Sequence, residues 1–173
     1  MIKKPAYIDR SAYYTMYTDL ATDSDLMESF KTSSDAMIEI LDSISEEKLQ
    51  KKYGDDKWTV AQLLLHTIDS ERILSYRALA IARGEENRIQ GYEENIYAAN
   101  DYSSSRTLSS LKEEFLIVRK STVSLIQNIH EDALHREGNA NGLIVTPCVL
   151  GWMICGHTLH HLKILRERYD LNL

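Results

Sequence analysis

The sequence "WTVAQLLLHTIDSERILSYRALAIARG", residues 58–84, has the clearest helical signals in the chain. Thr59 and Gln62 have the spacing of a capping box, in which each side chain accepts a hydrogen bond from the other residue's free backbone N–H group. Gly84 is well placed to end the helix, because glycine readily adopts the left-handed conformation that often follows a helix. The stretch predicts a helix that begins after Thr59 and runs to Arg83.

Three other segments carry apolar residues at steps of three and four, the period of a helix that buries one face. The first predicted helix covers residues 25–44 and the third covers residues 108–129. The fourth begins at Thr146-Pro147, a capping residue followed by proline at the first helical position, and runs to about residue 170. The sequence therefore predicts an all-α fold.

The connection between the second and third predicted helices, residues 84–107, is too long for a simple turn and is rich in tyrosine. Long connections in compact domains are often functional or span the length of a bundle. A four-helix bundle with a long crossover between helices two and three fits this pattern. We expect a single domain over residues 1–173, with residues 1–22 as an irregular segment that packs on the bundle.

Charge and composition exclude several classes of protein. The net charge is −6 and no stripe of lysine and arginine occurs, so nucleic-acid binding is not expected. No apolar run approaches the length of a membrane span, and the first residues lack the apolar core of a signal peptide. Cys148 and Cys155 on one helix would lie roughly 10 Å apart, whereas a disulfide needs about 7 Å or less. We therefore expect free thiols and a cytoplasmic protein.

Three of the six histidines stand within "ICGHTLHHLKI", residues 154–164 of the fourth predicted helix. His157 and His161 are four residues apart, so they lie one above the other on the apolar face of that helix. His160 is rotated by roughly 100° from His161, towards the edge of that face. The H-x3-H pair can chelate one metal ion from a single helix.

His66 is a third histidine in an apolar setting, in the middle of the second predicted helix. It is either a core histidine, hydrogen-bonded to a backbone carbonyl or to Asp69, or the third ligand of a metal site. In the second case Asp69 could orient the ring from behind. Three such histidines on two helices favour the metal site over three independent core residues. His130 and His135 stand in a polar stretch and are predicted to be solvated.

Other metal and nucleophile motifs are missing from the sequence. The paired Glu-x-x-His motifs of di-iron bundles and the H-E-x-x-H motif of zinc proteases do not occur. Cys155 and His157 are about 200° apart around the helix, which disfavours a catalytic Cys–His pair.

The segments 57–84, "GYEENIYAAN" at 91–100 and "GWMICGHTLHHLKILRERY" at 151–169 together resemble the DinB/YfiT-like metalloenzyme superfamily. The resemblance covers nearly the whole chain. It implies a four-helix bundle with a long crossover in a down-up-up-down arrangement. It also implies that His66, His157 and His161 are the metal ligands and that His160, beside the last ligand, is not one.

The resemblance further implies a divalent metal ion, with nickel or zinc first and iron or manganese as alternatives, and a homodimer. By ligand chemistry alone, three histidines would also accommodate copper. Family members with known activity include thiol-dependent transferases and isomerases that use bacillithiol or mycothiol. Two functions follow as hypotheses. One is a metal-dependent enzyme, a thiol-dependent S-transferase or a hydrolase of a small molecule. The other is a non-enzymatic, dimeric metal-binding bundle with a structural or interaction role.

Five further residues are weaker candidates for the site. Asp69 or Glu71 could orient a ligand or handle a proton, and Tyr92, Glu93 and Tyr97 of the crossover could border a pocket. Each has a simpler alternative, because a carboxylate on a helix commonly forms a surface ion pair and a loop tyrosine commonly packs on its neighbours.

Overall fold

Four long helices form the frame of the structure, a computed structural model that describes residues 1–5 and 12–171. They confirm the four predicted helices to within a residue or two at each end. In chain order the elements are α1 (Ala12–Thr18), α2 (Leu26–Ser43), α3 (Val60–Ala82), α4 (Glu94–Ala99), α5 (Leu108–Gln127), α6 (Glu131–Leu134), β1 (Gly138–Ala140), β2 (Leu143–Val145) and α7 (Pro147–Arg168), with short 3-10 helices at Glu46–Gln50 and Ser103–Ser105.

The predicted helix-end signals are present in the structure. The Thr59 hydroxyl accepts a hydrogen bond from the backbone N–H of Gln62, whose side chain accepts one from the N–H of Thr59, so the capping box starts α3. Thr146 caps α7 in the same way by accepting from the N–H of Val149, with Pro147 at the first helical position. Gly84, with φ of 88°, follows the end of α3.

The core consists of two apolar clusters with a polar layer between them. One cluster holds the N-terminal halves of α2 and α7 and the C-terminal halves of α3 and α5, and the other holds the opposite halves. The chain therefore runs down-up-up-down, and the long crossover is needed because α3 and α5 point the same way. The buried side chains of the polar layer are Ser33, His66, Thr67, Ser70, Glu71, Arg119, Thr122, His157, Thr158 and His161.

The N-terminal segment differs from the prediction. Residues 1–22 were expected to be irregular, but residues 12–18 form the helix α1, which packs on α7 as the expected covering segment. Its side chains Tyr14 and Thr18 are buried. Residues 6–11 of the segment lie outside the described residues. A two-turn helix is stable here because of its contacts with α7, since helices this short are marginal in water on their own.

A β-hairpin before α7 was also not predicted. Strands β1 and β2 pair antiparallel around Asn141 and Gly142, whose φ values of 55° and 88° are both positive, as a two-residue hairpin turn requires. Ile89 of the crossover forms a parallel bridge with Ala140, so the hairpin is tied to the crossover. The Asn-Gly dipeptide was the available signal, but strands of three residues are too short to show alternation.

Two other expectations concern the whole chain. Cys148 and Cys155 are both free thiols, as predicted, and both are buried. Of the helices in the described ranges, none has both the length and the apolar character that a membrane span needs.

Candidate metal centre

The structure brings together the three histidines that the sequence singled out. His66 from α3 and His157 and His161 from α7 are all buried, and each offers one nitrogen such that these atoms lie within 4.8 Å of one another. The Nε2 atoms of His157 and His161 are 3.0 Å apart. The three rings therefore converge on one point between the two helices.

This arrangement fits a bound divalent ion. A metal–nitrogen bond of about 2.0–2.1 Å places two nitrogens on the same ion about 3 Å apart, which is the separation between His157 and His161. The convergence of three buried histidine nitrogens from two helices favours the metal site over the core-histidine alternative.

The protonation state of the three rings also suits metal binding. Burial lowers the pKa of His66 from 6.5 to about 4. Burial, and then the neighbouring histidines, lower the pKa values of His157 and His161 well below the ordinary range. All three imidazoles are therefore neutral at pH 7, which is the form that coordinates a metal ion.

The remaining histidines lie where the sequence placed them. His160 is half-buried at the edge of the cluster, with its ring centroid 5.0 Å from that of His161. His130 and His135 are exposed, as predicted from their polar surroundings.

Tyr17 of α1 is part of the site and was missed by the sequence reasoning. Its ring centroid is 5.2 Å from that of His157 and 5.3 Å from that of His160. A Cβ atom at Gly156 would lie 1.9 Å from the backbone oxygen of Tyr17, so only glycine lets α1 approach α7 this closely. The available signal was the spacing of four between Tyr13 and Tyr17, which places both on one face of a helix.

Two cavities reach the histidine cluster from different directions. One, of about 330 Å³, lies between α1, α3, α7 and the crossover and reaches His157. The other, of about 250 Å³, lies near the start of α3 and reaches His161 beside Trp58. The larger cavity is lined by side chains that include Tyr13, Tyr17, Arg77, Tyr92, Glu94 and Met153. A small molecule therefore has a route to the histidine cluster.

The crossover contributes tyrosines to the site. The Tyr92 hydroxyl lies 2.6 Å from the Ser70 hydroxyl oxygen, which lies 3.4 Å from Nε2 of His66. Burial raises the pKa of Tyr92 to about 12, with the Ser70 hydrogen bond acting in the opposite direction, so Tyr92 is a protonated hydroxyl at pH 7. Tyr97 packs on Tyr92 and lines a small cleft with His66. Both tyrosines border the site, as predicted.

Glu93 does not have the position predicted for it. It is exposed, and its carboxylate accepts a hydrogen bond from the backbone N–H of Asn95 at the start of α4. Its neighbour Glu94 lines both the larger cavity and the cleft beside His66. The sequence reasoning was wrong by one residue because the crossover turns into a helix at this point.

The two carboxylates suggested on α3 have different surroundings. Asp69 lines the cleft with His66, but its side chain pairs with Arg72, and the hydrogen bond to His66 comes from Ser70 instead. Burial raises the pKa of Asp69. Glu71 is 2% exposed and accepts hydrogen bonds from Arg119 on both carboxylate oxygens. The structure therefore gives Glu71 a structural role in place of the suggested catalytic one.

Comparisons with known proteins agree with this fold. The family model of the DinB superfamily matches residues 29–165. YfiT from Bacillus subtilis, described as "a probable metal-dependent hydrolase with an unusual four-helix bundle topology", superposes with a TM-score of 0.75 and 17% identity over 95% of this chain and 90% of its own. A mycothiol-dependent maleylpyruvate isomerase superposes with a TM-score of 0.67 and 17% identity over 85% of this chain and 61% of its own. No curated protein sequence matches the chain.

Proposed function

Because the chain belongs to the DinB superfamily, we propose that it is a metal-dependent enzyme that acts on a small molecule by thiol-dependent S-transfer or by hydrolysis. The observation that carries this proposal is the cavity of about 330 Å³ that ends on His157 of the three-histidine group. A purely structural metal site has four protein ligands and needs no access. Three ligands beside a cavity are typical of a catalytic site.

His66, His157 and His161 would hold the ion, with nickel or zinc as the first candidates and iron or manganese as alternatives. Three neutral imidazoles leave a divalent ion its full charge, so it can lower the pKa of a water or thiol and polarise a carbonyl group. The three rings are buried and project from two packed helices, α3 and α7, which direct them towards one point.

Other side chains of the site suit proton handling and positioning. Tyr92 and Ser70 form a pair of hydroxyls beside His66 that can donate hydrogen bonds to a bound substrate. Asp69 lines the cleft beside His66, and burial raises its pKa, a direction that suits a proton-transfer group. Tyr17 packs against the His157 ring at the cavity and can help to position a bound molecule there.

The two reaction types have separate support. YfiT, described as a probable metal-dependent hydrolase, matches this fold over most of both chains and favours hydrolysis. The mycothiol-dependent isomerase favours the use of a low-molecular-weight thiol. Assays of the metal-loaded protein with ester and amide substrates, and separately with bacillithiol, mycothiol or glutathione plus an electrophile, distinguish the two.

Metal analysis of His66→Ala tests the proposal against a structural role for the ion. We expect natively purified protein to contain one equivalent of metal, and His66→Ala to lose both the metal and activity while its thermal unfolding midpoint stays close to that of the wild type. His135→Ala, at an exposed position, is the control and should keep its metal. Unfolding of the bundle on loss of metal would favour the non-enzymatic alternative, and absence of metal from the wild type would contradict both.

The homodimer remains a prediction, and α3 and α5 offer a surface on which to test it. Tyr76, Leu79, Leu116 and Ile117 are large apolar side chains with 37–62% of their area exposed. Such side chains are common at subunit interfaces. We propose that a second copy of the chain covers them. Sedimentation equilibrium should show a dimer for the wild type and a monomer for Ile117→Glu, whereas a monomeric wild type would contradict the proposal.

A further inference from the structure

A buried arginine with few partners lines the larger cavity. Arg77 of α3 is only 6% exposed. Its Nη2 donates a hydrogen bond to the backbone oxygen of Gln90 at 3.0 Å, and its Nε is buried without an acceptor. Within residues 1–5 and 12–171, Arg77 forms no ion pair and this is its single hydrogen bond. Most of the hydrogen-bonding capacity of its guanidinium is thus unused.

An unpaired guanidinium in the interior is unfavourable for folding. Arginine stays charged in proteins, and removing that charge from water costs free energy unless an anion compensates it. Arg119, which is also buried, follows the rule, since the Glu71 carboxylate binds it directly. Within residues 1–5 and 12–171 no carboxylate pairs with Arg77 in this way, and the cavity beside it leaves room for an anionic ligand.

Arg77 and His157 of the metal site border the same cavity. Ser70, Leu74 and Arg77 follow one another at helical spacing along the face of α3 that lines the cavity. Ser70 is the residue beside His66, and Arg77 is seven residues further along, about 10 Å by the rise of a helix. The cavity is therefore bordered both by a cationic side chain and by the metal site.

The neighbours of Arg77 favour a single negative charge on the ligand. Burial raises the pKa of both Tyr13 and Tyr92, and the Arg77 charge acts in the opposite direction on each, which places the cation close to these two rings. Glu94 lines the same cavity from an exposed position. One cation with an acidic residue nearby is suited to a carboxylate. A phosphate dianion would require more positive charge.

We infer that this cavity binds a small carboxylic acid, with the carboxylate paired to Arg77 and the rest of the molecule extending towards the three histidines. Only the reaction at the metal site rests on the proposed function. Carboxylate binding itself depends on Arg77 and the cavity, and it is retained in protein from which metal has been removed.

Titration with two probes of equal shape tests the inference. Hexanoate and hexanamide differ in charge at one end, and their binding to chelator-treated, metal-free protein can be measured by NMR chemical-shift changes. We expect hexanoate to bind about 10- to 100-fold more tightly than hexanamide, the range for a charge-assisted hydrogen bond. The substitution Arg77→Gln should lower the affinity for hexanoate to the affinity for hexanamide. Arg83→Gln, at an exposed position after the end of the same helix, should leave the ratio unchanged.

The ratio of hexanoate affinity to hexanamide affinity in the wild-type protein tests the inference even if Arg77→Gln fails to fold. Equal affinities for hexanoate and hexanamide would overturn the inference, as would an unchanged affinity ratio in folded Arg77→Gln.

Binding of bacillithiol and glutathione, two thiols that carry carboxylates, identifies the source of the ligand carboxylate. If Arg77→Gln weakens their binding together with that of hexanoate, the carboxylate belongs to the thiol, and if it weakens hexanoate alone, the carboxylate belongs to the substrate. Acid binding by a protein that shows no metal-dependent activity would refute the proposed function and leave the inference standing.

Discussion

The imidazole of His66 couples protonation to folding, because burial lowers its pKa from 6.5 to about 4. Between these two pH values the unfolded chain binds a proton at His66 and the folded chain does not. The contribution of neutral His66 to the free energy of unfolding is therefore fully present above pH 6.5, and it is lost as the pH falls towards 4. The metal-free protein should show this loss, since a bound ion would itself compete with the proton.

His66→Gln keeps a polar side chain of similar size that does not titrate, so it removes this pH dependence. In urea unfolding followed by circular dichroism, wild-type stability should fall relative to that of His66→Gln by up to about 1.4 kcal/mol for each pH unit below 6.5. His135→Gln, at an exposed histidine, should follow the wild type. A constant difference between wild type and His66→Gln from pH 7 to pH 5 would contradict the lowered pKa.

Single residues also show which parts of the site can be inferred from sequence. His157 and His161 could be paired from the helical period alone, and His66 stood out as a histidine in an apolar helix. Tyr17 and Arg77 could not be found in this way, because their role depends on how α1 and the far end of α3 pack around the cavity. Contacts between residues of one helix can be predicted from the helical period. Contacts between residues of different elements can be identified only from the structure.

The contact between α1 and α7 depends on Gly156. Replacement by alanine would place a methyl group 1.9 Å from the backbone oxygen of Tyr17, so α1 would have to move away. The bundle itself should stay folded, because alanine is the better helix former within α7. We expect Gly156→Ala to release α1 and uncover His157, seen as faster amide hydrogen exchange over Ala12–Thr18.

Gly151→Ala is the matched control, since it makes the same change one and a half turns earlier in α7. There the new methyl group would meet only the end of the Leu26 side chain, at 2.7 Å, which can adjust. Exchange over α1 should then resemble that of the wild type. Slow exchange of α1 in Gly156→Ala would show that the helix docks by other contacts.

The long helices could be predicted because each carries its own signals. The capping box of α3 and the Thr-Pro start of α7 are local, and the structure places both helices where those signals indicate. The helix α1 and the hairpin β1–β2 carry too few residues for a periodic pattern. Both are stable through contacts with distant parts of the chain, which a reading of local pattern does not detect.

The whole bundle is linked through one buried side chain in its polar layer. Arg119 of α5 binds Glu71 of α3, donates to the hydroxyls of Ser33 of α2 and Thr158 of α7, and donates to the backbone oxygen of Phe30. These contacts join all four long helices at the level of the histidines. Thr158 is adjacent to His157, so the same network fixes the position of α7 along the bundle axis beside the metal site.

Removal of Arg119 should therefore destabilise the whole molecule. Arg119→Leu leaves the Glu71 carboxylate buried without a cation, and we expect a loss of about 3–5 kcal/mol in the free energy of unfolding. The double variant Arg119→Leu/Glu71→Leu should recover much of this loss, because most of the penalty comes from the unpaired charge. Urea unfolding of the two variants and the wild type measures both effects.

The exposed pair Lys163–Glu167 provides the contrast. Solvent screens that pair, so Lys163→Ala should unfold at the same urea concentration as the wild type, within error. If Arg119→Leu behaved like Lys163→Ala, the buried network would not be what holds the four helices together. If the double variant were as unstable as Arg119→Leu, the hydrogen bonds to Ser33, Thr158 and Phe30 would outweigh the ion pair.

Metal affinity should also fall in both Arg119 variants, because Arg119 then no longer links α7 to α3 at the level where His66 and His157 meet.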